Sequence, residues 1–405
     1  MKLAILTFGT EGDTRPLAAV ADAWRRAGHK AVLLADAQTL DAVQALGIPA
    51  VRLSGNIRDL FARWGQEGAH GTARAMIQLC NAQAVAWTEQ TLAAARDCDG
   101  IVTSGLAGFV GLSVAERLAI PAIGAGMFPL TPSREFPSPL LPQALVPAFL
   151  NHASMRFTNQ LVWISLRKAL NRARGEVLGL PPRRQLWTGH PMLYGISPTL
   201  LPTPADWPGN ATLCGQWVPP LGRSYSPLAG LQRFLAAGEP PVYVGFGSMT
   251  GLDMRALVGV LTQALARRRV VFWPGWSGAD VAALSGNFHC IDAMPHDWLF
   301  PQMAAVIHHG GSGTTHSALR AGKPSIVIPF AGDQSFWAGR LHRLGVAAPA
   351  LPAGCLDAGA LAAALEFVGQ DSVTARAREL GARMASEDGL AVAISILQRI
   401  LRKGA

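Results

Sequence analysis

Cysteine, tyrosine and acidic side chains are scarce in this 405-residue chain, and each shortage excludes something. The five cysteines, Cys80, Cys98, Cys214, Cys290 and Cys355, are scattered without paired spacing, so neither a disulfide framework nor a zinc site is suggested. Only 15% of residues are charged while 50% are hydrophobic, far from the composition of disordered chains. No apolar run reaches the roughly 18 uninterrupted residues expected of a membrane-spanning helix. The opening apolar stretch stops at Gly9-Thr10-Glu11-Gly12-Asp13 without a small-residue cleavage site. It therefore reads as a buried first strand rather than a signal peptide, and a cytoplasmic protein is expected. A complete Gly-x-Gly-x-x-Gly is also missing. Gly9 and Gly12 follow the first strand and Asp36 closes the second, but Thr7 stands where the first glycine of a dinucleotide fingerprint belongs, which argues against a nicotinamide enzyme.

The 26 acidic residues are outnumbered by 35 Lys and Arg, a net charge of +9. The basic residues come in small groups such as Arg183-Arg184 and Arg267-Arg268-Arg269, with no nucleic-acid-binding motif beside them, so nucleic acid is not an expected partner. Phosphorylated substrates and anionic membrane surfaces attract the same charge, and a solvated basic surface explains it equally well.

Length argues for two domains, because single cores stop growing at roughly 250–300 residues. Leu3–Phe8, Ala31–Ala35, Gly100–Ser104 and Ala122–Gly126 are short apolar runs. Amphipathic stretches at Leu17–Ala27 and Leu40–Leu46 end at Gly28 and Gly47, so the chain opens βαβα, the mark of a parallel sheet. Prolines then crowd residues 129–147 in a segment rich in Phe and Leu, expected to be a loop that lines a binding groove. A helix is expected from about Arg156 to Leu178. After a second proline cluster between Pro198 and Pro220, a second α/β unit opens at Pro241–Ser248, and strand-like runs recur at Val270–Trp273, His289–Ile291, Ala305–His308 and Ser325–Pro329. The expected organisation is a first α/β domain over 1–205, a linker over 206–221, a second α/β domain over 222–385, and a last helix within 386–405 that crosses back onto the first. Ligand belongs at the carboxyl ends of the strands, in the cleft between the halves.

The segment richest in chemistry is His308-His309-Gly310-Gly311-Ser312-Gly313-Thr314-Thr315, between an apolar strand and a helix. Glycines let the backbone approach a ligand, and a helix start offers free N–H groups with the positive end of its dipole, a suitable cradle for a diphosphate. Read alone it is equally a helix-capping turn. Asp333-Gln334, 18 residues beyond Thr315, pairs a carboxylate with an amide and could hold adjacent sugar hydroxyls. Pro295-His296-Asp297-Trp298-Leu299-Phe300-Pro301 forms a loop that could meet a nucleotide base, and Ser248 ends the strand that opens the second half. Asp97-Cys98-Asp99 matches an Asp-x-Asp metal motif but has no further ligands, and the histidines of 308–316 lack Cys or carboxylate support, so no metal is expected.

Taken together, residues 295–345 resemble the donor-binding signature of glycosyltransferase family 1, above all its sterol glucosyltransferase-like and glycopeptide-antibiotic branches. Val242–Met249, Phe136-Pro137, Asn159 and Leu178-Gly179-Leu180-Pro181 extend the resemblance to nearly the whole chain. It implies the GT-B fold, two Rossmann-like α/β domains whose parallel sheets face each other across a cleft. It also implies metal-independent, inverting transfer of a hexose, with no cofactor. The donor would be UDP-glucose or, second, a dTDP-sugar, and the acceptor a hydroxyl of a lipophilic small molecule such as a sterol, other terpenoid, lipid or polyketide.

On the same resemblance, His309, Gly311, Ser312, Gly313 and Thr314 hold the diphosphate with Ser248 nearby, and Asp333 and Gln334 hold the sugar. Pro295, Trp298 and Ser317 lie at the base and ribose. Ser317 stands where plant members carry a ribose-binding Glu, so ribose contacts must differ. Gly12, Phe128 and Phe136 belong to the acceptor side. Many members use a His after strand one as base, but no His lies between residues 1 and 28. The branch's Gly-x-x-Gly-Asp makes Asp13 the expected base, with Glu11 as fallback and a helix N-cap as the alternative role of Asp13. A non-catalytic lipid- or nucleotide-binding module on the same fold stays open on sequence alone.

Overall fold

The computed structural model describes residues 1–64, 68–219, 227–247, 254–275 and 284–403. Every ladder in it is parallel. Strands β1 (Lys2–Leu6), β2 (Lys30–Asp36), β3 (Ala50–Leu53), β4 (Gly100–Thr103), β5 (Ala122–Gly126), β6 (Met192–Tyr194) and β7 (Ala211–Leu213) form one seven-stranded sheet in the order β3-β2-β1-β4-β5-β6-β7. Strands β8 (Val242–Gly245), β9 (Val270–Trp273), β10 (Phe288–Cys290), β11 (Ala305–His308) and β12 (Ser325–Val327) form a second, in the order β10-β9-β8-β11-β12. Strands buried on both faces read as continuous apolar runs, which is why β1, β4, β8 and β11 were visible in the sequence.

Around the first sheet lie α1 (Glu11–Arg26), α2 (Asp41–Ala45), α3 (Ile57–Trp64), α4 (Gly68–Ala95), α5 (Gly108–Leu118) and α6 (Asn151–Glu176). Around the second lie α7 (Ala229–Ala236), α8 (Met254–Ala264), α9 (His296–Leu299), α10 (Ser312–Arg320), α11 (Gln334–Arg343), α12 (Ala358–Val368) and α13 (Asp371–Ala385). The final helix, α14 (Gly389–Lys403), buries Ala393, Ile394, Leu397 and Leu401 against Leu3, Trp24 and their neighbours in the first half.

The span 206–221, expected to be a linker, contains β7, so the first sheet takes its last strand from inside that span. Proline density there reflects the short turns on either side of a three-residue edge strand, where missing N–H groups cost little. The two halves also share a buried cluster, in which Phe136, Met155 and Tyr194 meet Leu319, Phe336 and Trp337.

Strand order reverses between β1 and β4 in one sheet and between β8 and β11 in the other. At such a switch point the loops leaving neighbouring strands part to opposite sides and open a crevice at the carboxyl edge. The loops after β1 and after β11 are the two Gly-rich segments, so topology places both at the cleft.

Candidate active site

On the first side of the cleft, Thr10 caps α1. Its hydroxyl accepts from the Gly12 N–H at 3.3 Å, and Asp13 reaches back so that Oδ2 accepts from the Thr10 N–H at 2.9 Å. Asp13 is therefore the third residue of a capping box and not the N-cap itself, because only Thr10 has the extended backbone that a cap needs. The carboxylate folds over Gly9 so closely that a Cβ added there would lie 2.2 Å from Oδ2. Burial pushes the Asp13 pKa up to about 6, opposed by the bonds from Thr10. Glu11, the fallback base, is engaged by the Arg15 guanidinium at 2.5 Å, one helical turn along.

Facing it, Gly311 is the N-cap of α10 and offers no side-chain cap, so the first-turn N–H groups of Ser312, Gly313 and Thr314 have no such partner and the helix dipole adds positive potential. The His309 ring lies against Gly247 and Gly311, where a Cβ on either would come within 3.1 Å and 2.4 Å of it. Burial pushes the His309 pKa down to about 4, so at neutral pH the ring is uncharged. His308 is fully buried and turned inward, its Nδ1 accepting the Gly310 N–H at 3.0 Å.

Two hydroxyls expected to meet the donor are engaged elsewhere. The Ser312 hydroxyl donates to the Met127 carbonyl across the cleft at 2.6 Å, and the Ser317 hydroxyl accepts from Gln216 Nε2 at 3.0 Å. The Ser312 side chain is therefore engaged, and what it presents at the start of α10 is its backbone N–H. His316 joins the same crossing: Nδ1–H donates to the Ser312 carbonyl at 2.7 Å while Nε2 accepts the Ser197 N–H at 3.2 Å.

Asp333 stands after Gly332, whose φ of +64° makes the turn that glycine alone adopts readily. The indole N–H of buried Trp337 donates to Asp333 Oδ2 at 2.6 Å. Burial pushes the Asp333 pKa up to about 6, partly offset by the Trp337 bond, and the Asp13 carboxylate across the cleft adds a further upward push. Gln334 Oε1 accepts the N–H groups of Phe330 and Ala331 at 2.7 and 3.1 Å, so its carbonyl shapes the turn instead of reaching outward.

A cavity of about 2160 Å³ runs along the cleft. Single small-ligand pockets measure roughly 300–1,000 Å³, so this one has room for two substrates. Gly12, Asp13, Phe128, Pro295, His309, Gly311, Ser312, Gly313, Thr314, Ser317, Asp333 and Gln334 all line it. Two expected residues do not. Phe136 is 3% exposed and packs edge-to-face on Phe336 in the core between the halves. Trp298 packs among Leu299, Phe300 and their neighbours, because two residues of helix turn it about 200° from the cavity-facing His296. Ser248 lies outside the described residues. Asp97 and Asp99 grip Lys2 at the far end of β1, each at 2.6 Å, and do not approach the cavity.

The apolar end of the cavity is formed by residues that the sequence did not single out, among them Met76, Leu106, Phe109, Leu166 and Trp187. They come from α4, the turn between β4 and α5, α5, α6 and the loop that follows α6, so no local motif signals them. Arg15, also unforeseen, could have been found from its spacing one turn past Glu11.

Two switch-point crevices facing each other, with a helix amino terminus on one wall and a capped carboxylate on the other, define a GT-B glycosyltransferase. Residues 263–397 match the family model for the C-terminal domain of erythromycin biosynthesis protein CIII-like proteins. The chain is 32% identical to sterol 3-beta-glucosyltransferase UGT80B1 of Arabidopsis thaliana, over 99% of this chain and 68% of the relative. It is 30% identical to the sterol 3-beta-glucosyltransferase of Saccharomyces cerevisiae over 98% of this chain, but spans only 35% of that longer protein. Among solved structures, glycosyltransferase VinC in complex with dTDP superposes with a TM-score of 0.69 at 20% identity, each chain covered in full. SnogD from Streptomyces nogalater gives 0.65 at 22% identity over 99% of both chains, and these two likenesses speak for the fold alone. The chain belongs to the sterol 3-beta-glucosyltransferase family.

Proposed function

We propose that this chain moves glucose from UDP-glucose to a hydroxyl of a sterol or similar lipophilic alcohol, with inversion at the anomeric carbon. The observation that carries the reading is the meeting of Asp13 and Asp333 from opposite walls of one cavity, next to the amino terminus of α10. Asp13 takes the acceptor proton as the hydroxyl oxygen attacks the anomeric carbon and the bond to the diphosphate breaks. The charge left on the diphosphate falls on the α10 N–H groups and the neutral His309 ring, so the residues present supply its stabilisation without a metal ion. Asp333 holds sugar hydroxyls, fixed by Trp337. Gln334 shapes the turn beside it through its engaged carbonyl. Pro295 and Ser317 border the nucleoside, and Gly12 and Phe128 the acceptor.

The first sheet and its helices would bind acceptor, the second donor. The names of the sterol relatives support glucose and a sterol, whereas dTDP in the VinC complex keeps a dTDP-sugar as the second donor reading. No helix among the described residues is long and apolar enough to cross a membrane.

A panel of UDP- and dTDP-hexoses against sterols tests the proposal. UDP release that rises when sterol is added, with a β-linked glucoside as product, is expected; donor consumption indifferent to every alcohol would overturn it. Asp333→Ala should weaken UDP-glucose binding about tenfold or more while sparing UDP, since a charged hydrogen bond contributes roughly 1.5–3 kcal/mol. Equal loss for both ligands in calorimetry would remove Asp333 from the sugar. His309→Ala should do the reverse and weaken UDP itself, and an unchanged UDP affinity would leave that ring a packing role.

A further inference from the structure

Beside the apolar end of the cavity the surface is unusually greasy. Leu145 and Phe149, on the turns before α6, are 77% and 84% exposed, and Phe157, Leu161 and Ile164 on α6 itself are 61%, 52% and 53% exposed. Positions 157, 161 and 164 recur at helical spacing, so they form one stripe. Buried Met155, Trp163, Leu170 and Ala173 occupy the opposite side of the helix. Large side chains left in water along one face of a helix need a covering.

Charge says what covers them. From residue 136 to residue 175 there is no Asp or Glu, while Arg156, Arg167, Lys168 and Arg172 all stand exposed on α6. Arg174, the remaining basic residue of the span, is buried against Glu116 and takes no part. An apolar stripe continued by cations without interspersed anions is the pattern of a helix lying in the interface of an anionic bilayer, apolar side inserted and basic side among headgroups.

The stripe is continuous with the cavity. Leu140 and Val162 are both exposed and both line it, and His152, Arg156, Asn159, Gln160 and Leu166 bring the flank of α6 to its rim. A lipophilic alcohol lifted from the membrane at this face would pass from acyl chains to the Leu, Phe and Trp lining without crossing water.

We propose that the exposed face of α6 and the 143–150 turns dock on a bilayer carrying anionic lipid, and that the cavity mouth beside them admits the acceptor from it. The docking stands on the surface alone; its use for acceptor entry rests on the lipophilic acceptor proposed above. Two double variants, Phe149→Asp with Phe157→Asp and Arg167→Glu with Lys168→Glu, test it, and none of the four residues lines the cavity. The probes are vesicles of phosphatidylcholine and of phosphatidylcholine mixed with phosphatidylserine. The whole chain should co-sediment with the mixed vesicles and be released by salt. Each double variant should bind them about tenfold more weakly or worse, at unchanged melting temperature. With sterol in the mixed vesicles the variants should lose transfer to the same degree, yet match the parent chain when cyclodextrin delivers the sterol. Equal sedimentation of parent and variants would overturn the proposal, as would failure of the parent to bind. Light scattering that shows a dimer dispersed by Phe149→Asp with Phe157→Asp would assign the face to a second copy instead. Absence of transfer in every format, with binding and its loss as expected, would strike the proposed acceptor and leave the docking surface standing.

Discussion

Asp13→Asn is expected to lower the rate of sugar transfer by about 10²–10⁴-fold, the usual consequence of losing a general base. The amide keeps the size of the side chain and can still accept the Thr10 N–H, so the capping box and α1 survive. The sign of the stability change follows from the same carboxylate. Its folded pKa is raised to about 6 by burial, above the ordinary value near 4. The folded chain therefore binds the extra proton between those values, and whatever stability this group contributes is present below about pH 4 and lost as pH rises through 6. At pH 7 the buried charge is a liability that Asn removes, so the variant should melt no lower than the parent. UDP-glucose binding should hardly change, since the diphosphate cradle is on the opposite wall. A normal transfer rate would pass the role of base to Glu11, whose present engagement with Arg15 makes it the weaker candidate.

Gly9→Ala is expected to reduce transfer by about 10²-fold although the residue itself touches nothing reactive. A methyl at Gly9 would fall within 2.6 Å of two atoms of the Asp13 carboxyl group, so the carboxylate must swing away from its place over the loop. Displacing a catalytic group by about 1 Å commonly costs that much. The Thr10 hydroxyl still accepts the Gly12 N–H, so donor binding should stay near that of the parent, while loss of the Asp13 acceptor for the Thr10 N–H should lower thermal stability only slightly. Gly9→Ala with full activity would show that the base does not need the folded-back conformation. The variant that loses stability in step with activity would instead assign Gly9 to the fold.

Much of this was legible in the sequence, for physical reasons that differ from place to place. Parallel strands buried on both faces are continuous apolar runs, and β1, β4, β8 and β11 stood out accordingly, as did the glycines that end α1 and α2. Short strands at or next to a sheet edge gave no such signal: β3 carries exposed Arg52, and β6 and β7 have three residues each amid prolines. The Gly-rich loop at 308–315 and Asp333 were legible because they are local, one strand, one turn and one helix each. What the sequence did not show was where the remaining polar atoms were spent. Ser312, Ser317 and Gln334 look like ligand donors in one dimension, but in the folded chain Met127, Gln216 and the 330–331 turn claim their side chains. Those contacts join segments more than 100 residues apart in two of the three cases, beyond the reach of any motif. Trp298 and Phe136 failed for the opposite reason: an aromatic in a functional segment is packed into the core as readily as against a ligand.

The central claim is that Asp13, and not Asp333, is the group whose ionisation gates the chemical step. Both carboxylates are raised to about 6, so the pH dependence of the parent chain alone does not separate them. Single-turnover transfer to a sterol, measured against pH at saturating donor in the parent chain and in Asp13→Asn, does. The account predicts that the parent rate falls below about pH 6 and that the residual rate of Asp13→Asn is slow and flat through the same range. A parent rate that is flat across pH 6, or an acid limb that persists in Asp13→Asn, would contradict it.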